Sequence, residues 1–283
     1  MTTRFSKGLS RRFATLRAVA FVTYKEWSAY RTHSMVSILV GPAYFLVQYF
    51  IWGAVYGNPT AALAKGTLHG LALHQMLTYY AANALIGYLT MDFADWNLGM
   101  LVRTGKFLTF ALRPIHHRFF ALSQKIGHRI LGFAFEFVPC ALIFAFLFHI
   151  PIAPANPSWA IISIALSFLM TFYVNYTIGL SAFWLTNPDG ARAVFQILQA
   201  MFSGAIVPLV FFPEPLQKAL FFLPFQYMLY VPSMVCGGEY RLGGIELPIP
   251  EIVALQALAV LSMFAISEIV YRAAMRRFNG VGA

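Results

Sequence analysis

The sequence predicts an all-α integral membrane protein, and three observations carry that prediction. Of its 283 residues, 59% are hydrophobic and only 11% charged, where an ordinary soluble domain carries about 25%. Residues 35–57, 66–91 and 137–188 contain no Asp, Glu, Lys or Arg, and a membrane-spanning helix needs roughly 20 predominantly apolar residues. The basic residues flank these runs instead of interrupting them. The net charge of +10 therefore reads as a membrane face rather than as a surface for nucleic acid.

Residues 4–33 open the chain as an amphipathic helix. Phe5, Leu9, Phe13, Leu16, Ala20, Tyr24 and Trp27 recur at helical spacing, while Arg4, Lys7, Arg11, Arg12, Arg17 and Lys25 fill the rest of the surface. That pattern suits a helix lying on anionic lipid, and residues 1–34 are expected to form such an interfacial segment. No cleavable signal peptide is expected, because basic residues punctuate this stretch and leave no uninterrupted apolar core.

The remainder, 35–283, reads as one transmembrane domain of six crossings, at about 35–57, 68–91, 128–150, 158–185, 191–212 and 250–272. The proline-rich HIPIAPANPSW at 149–159 divides the longest uncharged run in two. Lys and Arg then fall almost entirely on one side, in the N-terminal segment, the 91–130 stretch, Arg192 and the C-terminal Arg272, Arg276 and Arg277. The other side receives Lys65, Lys218 and Arg241, so both termini are expected in the cytoplasm. A seventh crossing through 219–238 would leave Pro224 and Pro232 at mid-membrane, where lipid cannot replace a lost backbone donor. External or half-inserted helices are the better expectation there.

Catalytic and metal-binding constellations are not evident. Adjacent His116 and His117 point to different helix faces and make a poor metal pair. The two cysteines, Cys140 and Cys236, are expected to remain unpaired. Ser163, Ser167, Thr171 and Asn175 form a polar stripe at four-residue spacing, best read as helix packing. Tyr44 with Gln48, Tyr79 with Asn83, and Gln196 with Gln199 and Ser203 are further small polar faces, suited to packing or to lining a translocation path. Glu136 is the one acid well inside a predicted span and is a candidate intramembrane polar site. Glu268 stands one turn from Arg272, where a structural pair is expected.

The segment GMLVRTGKFLTFALRPIHHRFF, 99–120, superficially resembles a phosphate loop. It fails as one, because five residues separate Gly99 from Gly105 and Phe107 stands where a magnesium-binding hydroxyl belongs. Its progression from Gly105 through Leu112 to Pro114-Ile115 instead resembles the coupling segment of type-2 ABC exporter permeases. Gly204, Pro208, Pro213, Pro224, Pro232 and Gly237 are similar to the rhythm of that family's fifth span, external helices and return. YKEW at 24–27 is similar to its join between interfacial helix and first span. Two departures stand out: Arg103 and Thr104 replace acidic residues before the coupling glycine, and Pro215 replaces a common tryptophan.

The resemblance implies a bacterial inner-membrane permease subunit, of the subgroup often encoded as adjacent permease pairs, exporting a lipophilic or amphipathic substrate. It implies a separate ABC ATPase in two copies that holds ATP and Mg, so that this chain binds no cofactor itself, and a second permease, the same or homologous, in a membrane of lipid. Arg103, Gly105, Lys106, Phe107, Phe110, Leu112, Arg113 and Pro114 would couple to the ATPase, with Ile115 adding apolar surface. Tyr44, Gln48, Tyr79, Asn83, Gln196, Gln199 and Phe202 would lie along the substrate path. The chief competing class is a gradient-driven secondary transporter, which usually shows repeated halves and intramembrane ion ligands. A membrane-embedded enzyme fits less well, for want of a nucleophile and base.

Overall fold

A computed structural model describes residues 2–28, 31–57, 67–68, 70–185 and 188–278, with side chains placed for 13–26, 36–57 and the later ranges except 67. Lys65 lies outside the described residues, as do the side chains of Phe5, Leu9 and Trp27. The chain is helical almost throughout. The exceptions to an all-α reading are two hairpins of two-residue strands, β1 (Thr67–Leu68) with β2 (Leu71–Ala72) and β3 (Arg241–Leu242) with β4 (Ile245–Glu246).

Helix α1 (Thr2–Ser28) is followed by α2 (Arg31–Val55) and, after β1–β2, by α3 (Leu73–Thr90). Two short helices, α4 (Ala94–Arg103) and α5 (Phe107–Ala111), lead to α6 (His117–Gly132), which continues through a π-helical turn at Phe133–Phe137 into α7 (Val138–Phe146). Next come α8 (Pro157–Gly179) and α9 (Asp189–Phe202). Then α10 (Glu214–Phe222) and α11 (Tyr230–Gly237) are joined through a 3-10 turn at Pro224–Met228, and α12 (Ile249–Arg277) follows.

Among the described residues, four stretches are long and apolar enough to cross a membrane: Val36–Val55, His117–Phe146, Pro157–Phe183 and Ile249–Arg277. They correspond to the expected crossings at 35–57, 128–150, 158–185 and 250–272. The second of them starts about three turns earlier than expected. Lys125 and Arg129 do not end the apolar segment, because both charges are buried within the protein and bonded to backbone carbonyls. The expected crossings at 68–91 and 191–212 are represented by α3, of 18 residues, and α9, of 14. The region of the doubtful seventh crossing holds α10 and α11, of 9 and 8 residues, each far short of a membrane thickness.

Buried polar groups fix how these helices meet. Gln256 of α12 accepts from the Ser163 hydroxyl of α8 at 2.7 Å and donates to the Tyr227 carbonyl at 3.0 Å. Ser167 donates to the Met228 carbonyl. The polar stripe on α8 therefore anchors the α10–α11 return, in keeping with its reading as packing. In α2, Pro42 removes the donor that would reach the Ile38 carbonyl. The Tyr88 hydroxyl of α3 fills that gap, accepting from Gly41 N–H at 2.7 Å and lying 2.7 Å from the Ser37 and 3.2 Å from the Ile38 carbonyl oxygen. Edge-on contacts of Phe45 with Phe144 and Phe148, at 5.1 and 5.0 Å, close α2 onto α7.

Helix α1 lies along α6 at very short range. A Cβ added to Gly127 would sit 2.3 Å from the Ala20 carbonyl oxygen. Small residues set this contact, as they do wherever helix backbones approach closely. The described aromatic members of the expected apolar stripe do not: Phe13 is 69% and Tyr24 37% exposed, while Ala20 and Thr23 are buried. Gly127→Leu should therefore detach α1 at a cost of about 1–3 kcal/mol. Limited proteolysis in detergent should cut α1 faster in the variant, with α12 left as protected as in the wild type.

Candidate functional site

The stretch between α3 and α6 does not dangle from the helices. Phe107 of α5 is 1% exposed and packs against His117, Phe183 and Phe278 at ring distances of 5.2, 5.0 and 5.3 Å. The expectation that Phe107 offers a contact surface is corrected by this burial: the ring anchors the segment. Phe110 is half-buried between His117 and Phe120, with Arg113 stacked 4.5 Å above it. Leu112 is the exposed apolar group, at 79%, joined by exposed Leu108 one turn earlier. Sequence reading passed over Leu108, although its four-residue spacing to Leu112 on a helix was visible. Lys106, Arg113 and Pro114 are exposed around them, and half-buried Ile115 is not. Gly105, with φ of +69°, makes the left-handed turn from α4 into α5.

Two ion pairs bind this segment to the start of α9. Arg103 meets Asp189 at 2.5 Å, and Arg192 meets the buried Asp95 at 2.5 Å, with Gln196 donating to the same carboxylate at 3.3 Å. Arg103 thus has an internal partner within the chain. Asp95 and Asp189 were not singled out from the sequence, because nothing in their spacing announces partners nearly a hundred residues away.

The far end of α9 is held in a different way. Past Phe202 the chain turns, and three successive carbonyls face α2 and α3. Tyr79 and Asn83 donate to the Gly204 oxygen at 2.7 and 3.2 Å, Tyr44 to Ala205 at 2.5 Å, and Tyr80 to Ile206 at 2.9 Å. Ser233 of α11 adds a bond to Asn83 at 2.5 Å. Gln48 is buried and donates to the Tyr44 hydroxyl at 3.0 Å. Within one chain, therefore, Tyr44, Gln48, Tyr79 and Asn83 act as tethers rather than as an open polar lining. Gln196, Gln199 and Phe202 are on α9, none of whose residues is buried in this chain, and Val194, Ile197 and Met201 are exposed beside them. The structure brings the first four together and leaves the last three on a separate face.

Glu136 falls in the π-helical turn, where the extra residue brings its carboxylate 3.5 Å from Arg129; both side chains are buried. Arg129 also donates to the Tyr88 carbonyl at 2.5 Å. Glu268 forms its expected pair with Arg272 at 2.7 Å, and Arg118 joins them at 2.8 Å. His116 stands 3.8 Å from the same carboxylate. Partial burial lowers the His116 pKa from its ordinary value; Glu268 pulls it up, and Arg118 and Arg272 push it down. His117 turns inward to the Tyr176 hydroxyl at 3.0 Å, so the two histidines diverge. Among the described residues, no group of three or more His, Cys, Asp or Glu could hold a metal ion.

A cavity of about 1030 Å³ lies on the other side of α3, between it, the π-helical turn, α8 and α11. Tyr79 is the one expected path residue on its wall.

Asn83→Leu should cost about 1–3 kcal/mol, because it removes one donor to Gly204 and strands the Ser233 hydroxyl. Gln199→Leu, at a half-buried position of α9 between Phe195 and Phe202, should leave stability nearly unchanged. Thermal aggregation of the two purified variants in detergent separates these outcomes.

A model of the family described as "ABC-2 family transporter protein" matches residues 43–282, which takes in every expected crossing except residues 35–42 of the first. No curated protein and no solved structure matches the chain. The match covers the apolar helices, the tethered α4–α5 stretch and the α10–α11 return alike: the chain belongs to the ABC-2 transporter family.

Proposed function

We propose that the chain is the permease of an ABC-2 exporter, moving a lipophilic or amphipathic substrate out of the cytoplasm or inner leaflet. Permeases of this family work with an ATPase partner. In this reading ATP and Mg are held by that separate chain, in two copies, and two permeases form the membrane unit. The observation that carries the reading is the double ion pair from α4 to α9, Arg103–Asp189 and Asp95–Arg192. A force applied by an ATPase at exposed Leu108, Leu112 and Arg113 would pass through α4 directly into α9.

Helix α9 suits a moving part that also meets a second permease. Polar contacts hold both of its ends, and its body presents Val194, Ile197 and Met201 to nothing in this chain. Six crossings remain part of the proposal, with α3 and α9 as the additional two. The 18 residues of α3 rise about 27 Å, near the roughly 30 Å hydrocarbon core. The charge asymmetry supports cytoplasmic termini in a bacterial inner membrane, with the hairpins outside.

Coupling is testable with a co-expressed ATPase in proteoliposomes. Leu112→Asp should lower ATPase co-purification, since a docked apolar contact becomes a desolvated charge. Phe107→Asp should instead lower permease yield. Arg103→Asp or Asp189→Arg alone should cut transport per ATP hydrolysed roughly tenfold, a loss of about 1.4 kcal/mol of coupling. The double exchange should recover most of it. Wild-type transport per ATP in both single variants would exclude the α4–α9 link, and transport independent of ATP would exclude the exporter reading.

A further inference from the structure

The large cavity belongs neither to the coupling segment nor to the uncovered face of α9. It follows one side of α3 from His74 to Leu89, a rise of about 22 Å, roughly three-quarters of the thickness of a hydrocarbon core. Its volume of about 1030 Å³ is at the top of the usual range for small-molecule sites, about 300–1,000 Å³. Small side chains leave room in its wall, Ala81 and Ala82 from α3 and Ala160 and Ala165 from α8.

Its two ends differ in chemistry. Beside the hairpins the wall carries His74, Gln75, Glu239 and Arg241. Toward the other end it is Leu85, Ile86, Leu89, Phe133 and Phe168. The guanidinium of Arg241 is already positioned, with Nη2 donating to the Gly70 carbonyl at 2.8 Å. Its Nε is buried and has no hydrogen-bond partner. A buried cationic donor left unmatched is costly, and an anionic oxygen is the group that satisfies it best.

We propose that this cavity binds a membrane amphiphile, its acyl chain lying along α3 and its anionic oxygen headgroup at Arg241. The opposing Glu239 would favour a headgroup that also carries an amine. This names a substrate class within the exporter reading and rests on it, but binding is measured without ATP, so the two can fail separately.

The test uses the full chain in phosphatidylcholine nanodiscs, with three photoactivatable probes of equal chain length: a lysophospholipid, a fatty acid and an uncharged alcohol. Saturable labelling by the lysophospholipid, the fatty acid or both, on peptides of α3 and α8, is the expected result, and their ratio distinguishes phosphate from carboxylate. The paired substitution Ala82→Phe with Ala165→Phe should lower labelling at least tenfold. Arg241→Gln should weaken labelling by the anionic probes roughly tenfold and leave the alcohol unaffected; it keeps the cavity open, so it tests the site even if the filled variant fails to fold. Labelling that never saturates, that survives filling of the cavity, or that is as strong for the alcohol and indifferent to Arg241 overturns the proposal. Saturable labelling without ATP-driven transport would stand for the site and count against the exporter reading alone.

Discussion

The rest of the structure depends on how the turn after α9 satisfies its carbonyls. A helix that ends inside an apolar medium leaves backbone acceptors that lipid cannot serve. Here Gly204, Ala205 and Ile206 receive hydroxyl and amide donors from Tyr79, Asn83, Tyr44 and Tyr80. The bonds draw α2 and α3 together over one turn, and Ser233 ties α11 to the same point. The α11 side is fixed in turn by Ser163, Ser167 and Gln256 beneath the Pro224–Met228 turn. Most of the helices after α1 thus meet at backbone groups that need donors, with the aromatic core filling the space between.

Helix α9 is distinguished by what holds it. Elsewhere the helices are held by interdigitated apolar side chains, which resist sliding. Beyond the half-buried Phe195 and Phe202, which rest on Phe225, the restraints at α9 are an ion-paired start and a hydrogen-bonded finish, with no fully buried residue between them. Such contacts are directional and can be exchanged for others at modest cost. Packed cores do not allow that. The α4–α5 stretch is anchored differently, by the buried Phe107 ring packed against Phe183 and Phe278.

Charge within the apolar region is handled by close pairing and by altered helix geometry. Arg129 reaches both Glu136 and the Tyr88 carbonyl, and Tyr88 patches the break that Pro42 makes in α2. Lys125 donates to the Phe168 carbonyl, on the wall of the cavity. Removing one member of a buried pair costs about 3–5 kcal/mol, so these groups brace the region around the cavity.

Much of this was legible in the sequence, for a local reason. Hydropathy is a property of consecutive residues, so the uncharged runs announced α2, α3 and α8, and the prolines at 149–159 marked the break between α7 and α8. Four-residue spacing was enough to read Ser163 and Ser167 as packing and to pair Glu268 with Arg272. The match of residues 43–282 to the ABC-2 family agrees with the resemblance read from the coupling stretch and the proline rhythm. The tertiary structure alone decided which polar residue meets which. Tyr79 and Asn83 look the same in sequence whether they line a path or bond Gly204, a residue more than a hundred positions away. Phe107 and Leu112 are both apolar residues of one short loop, yet one is buried and the other bare. Periodicity says which face of a helix a side chain occupies, but a hydrogen bond or a buried ring also needs a partner at the right distance, and only the folded chain supplies that.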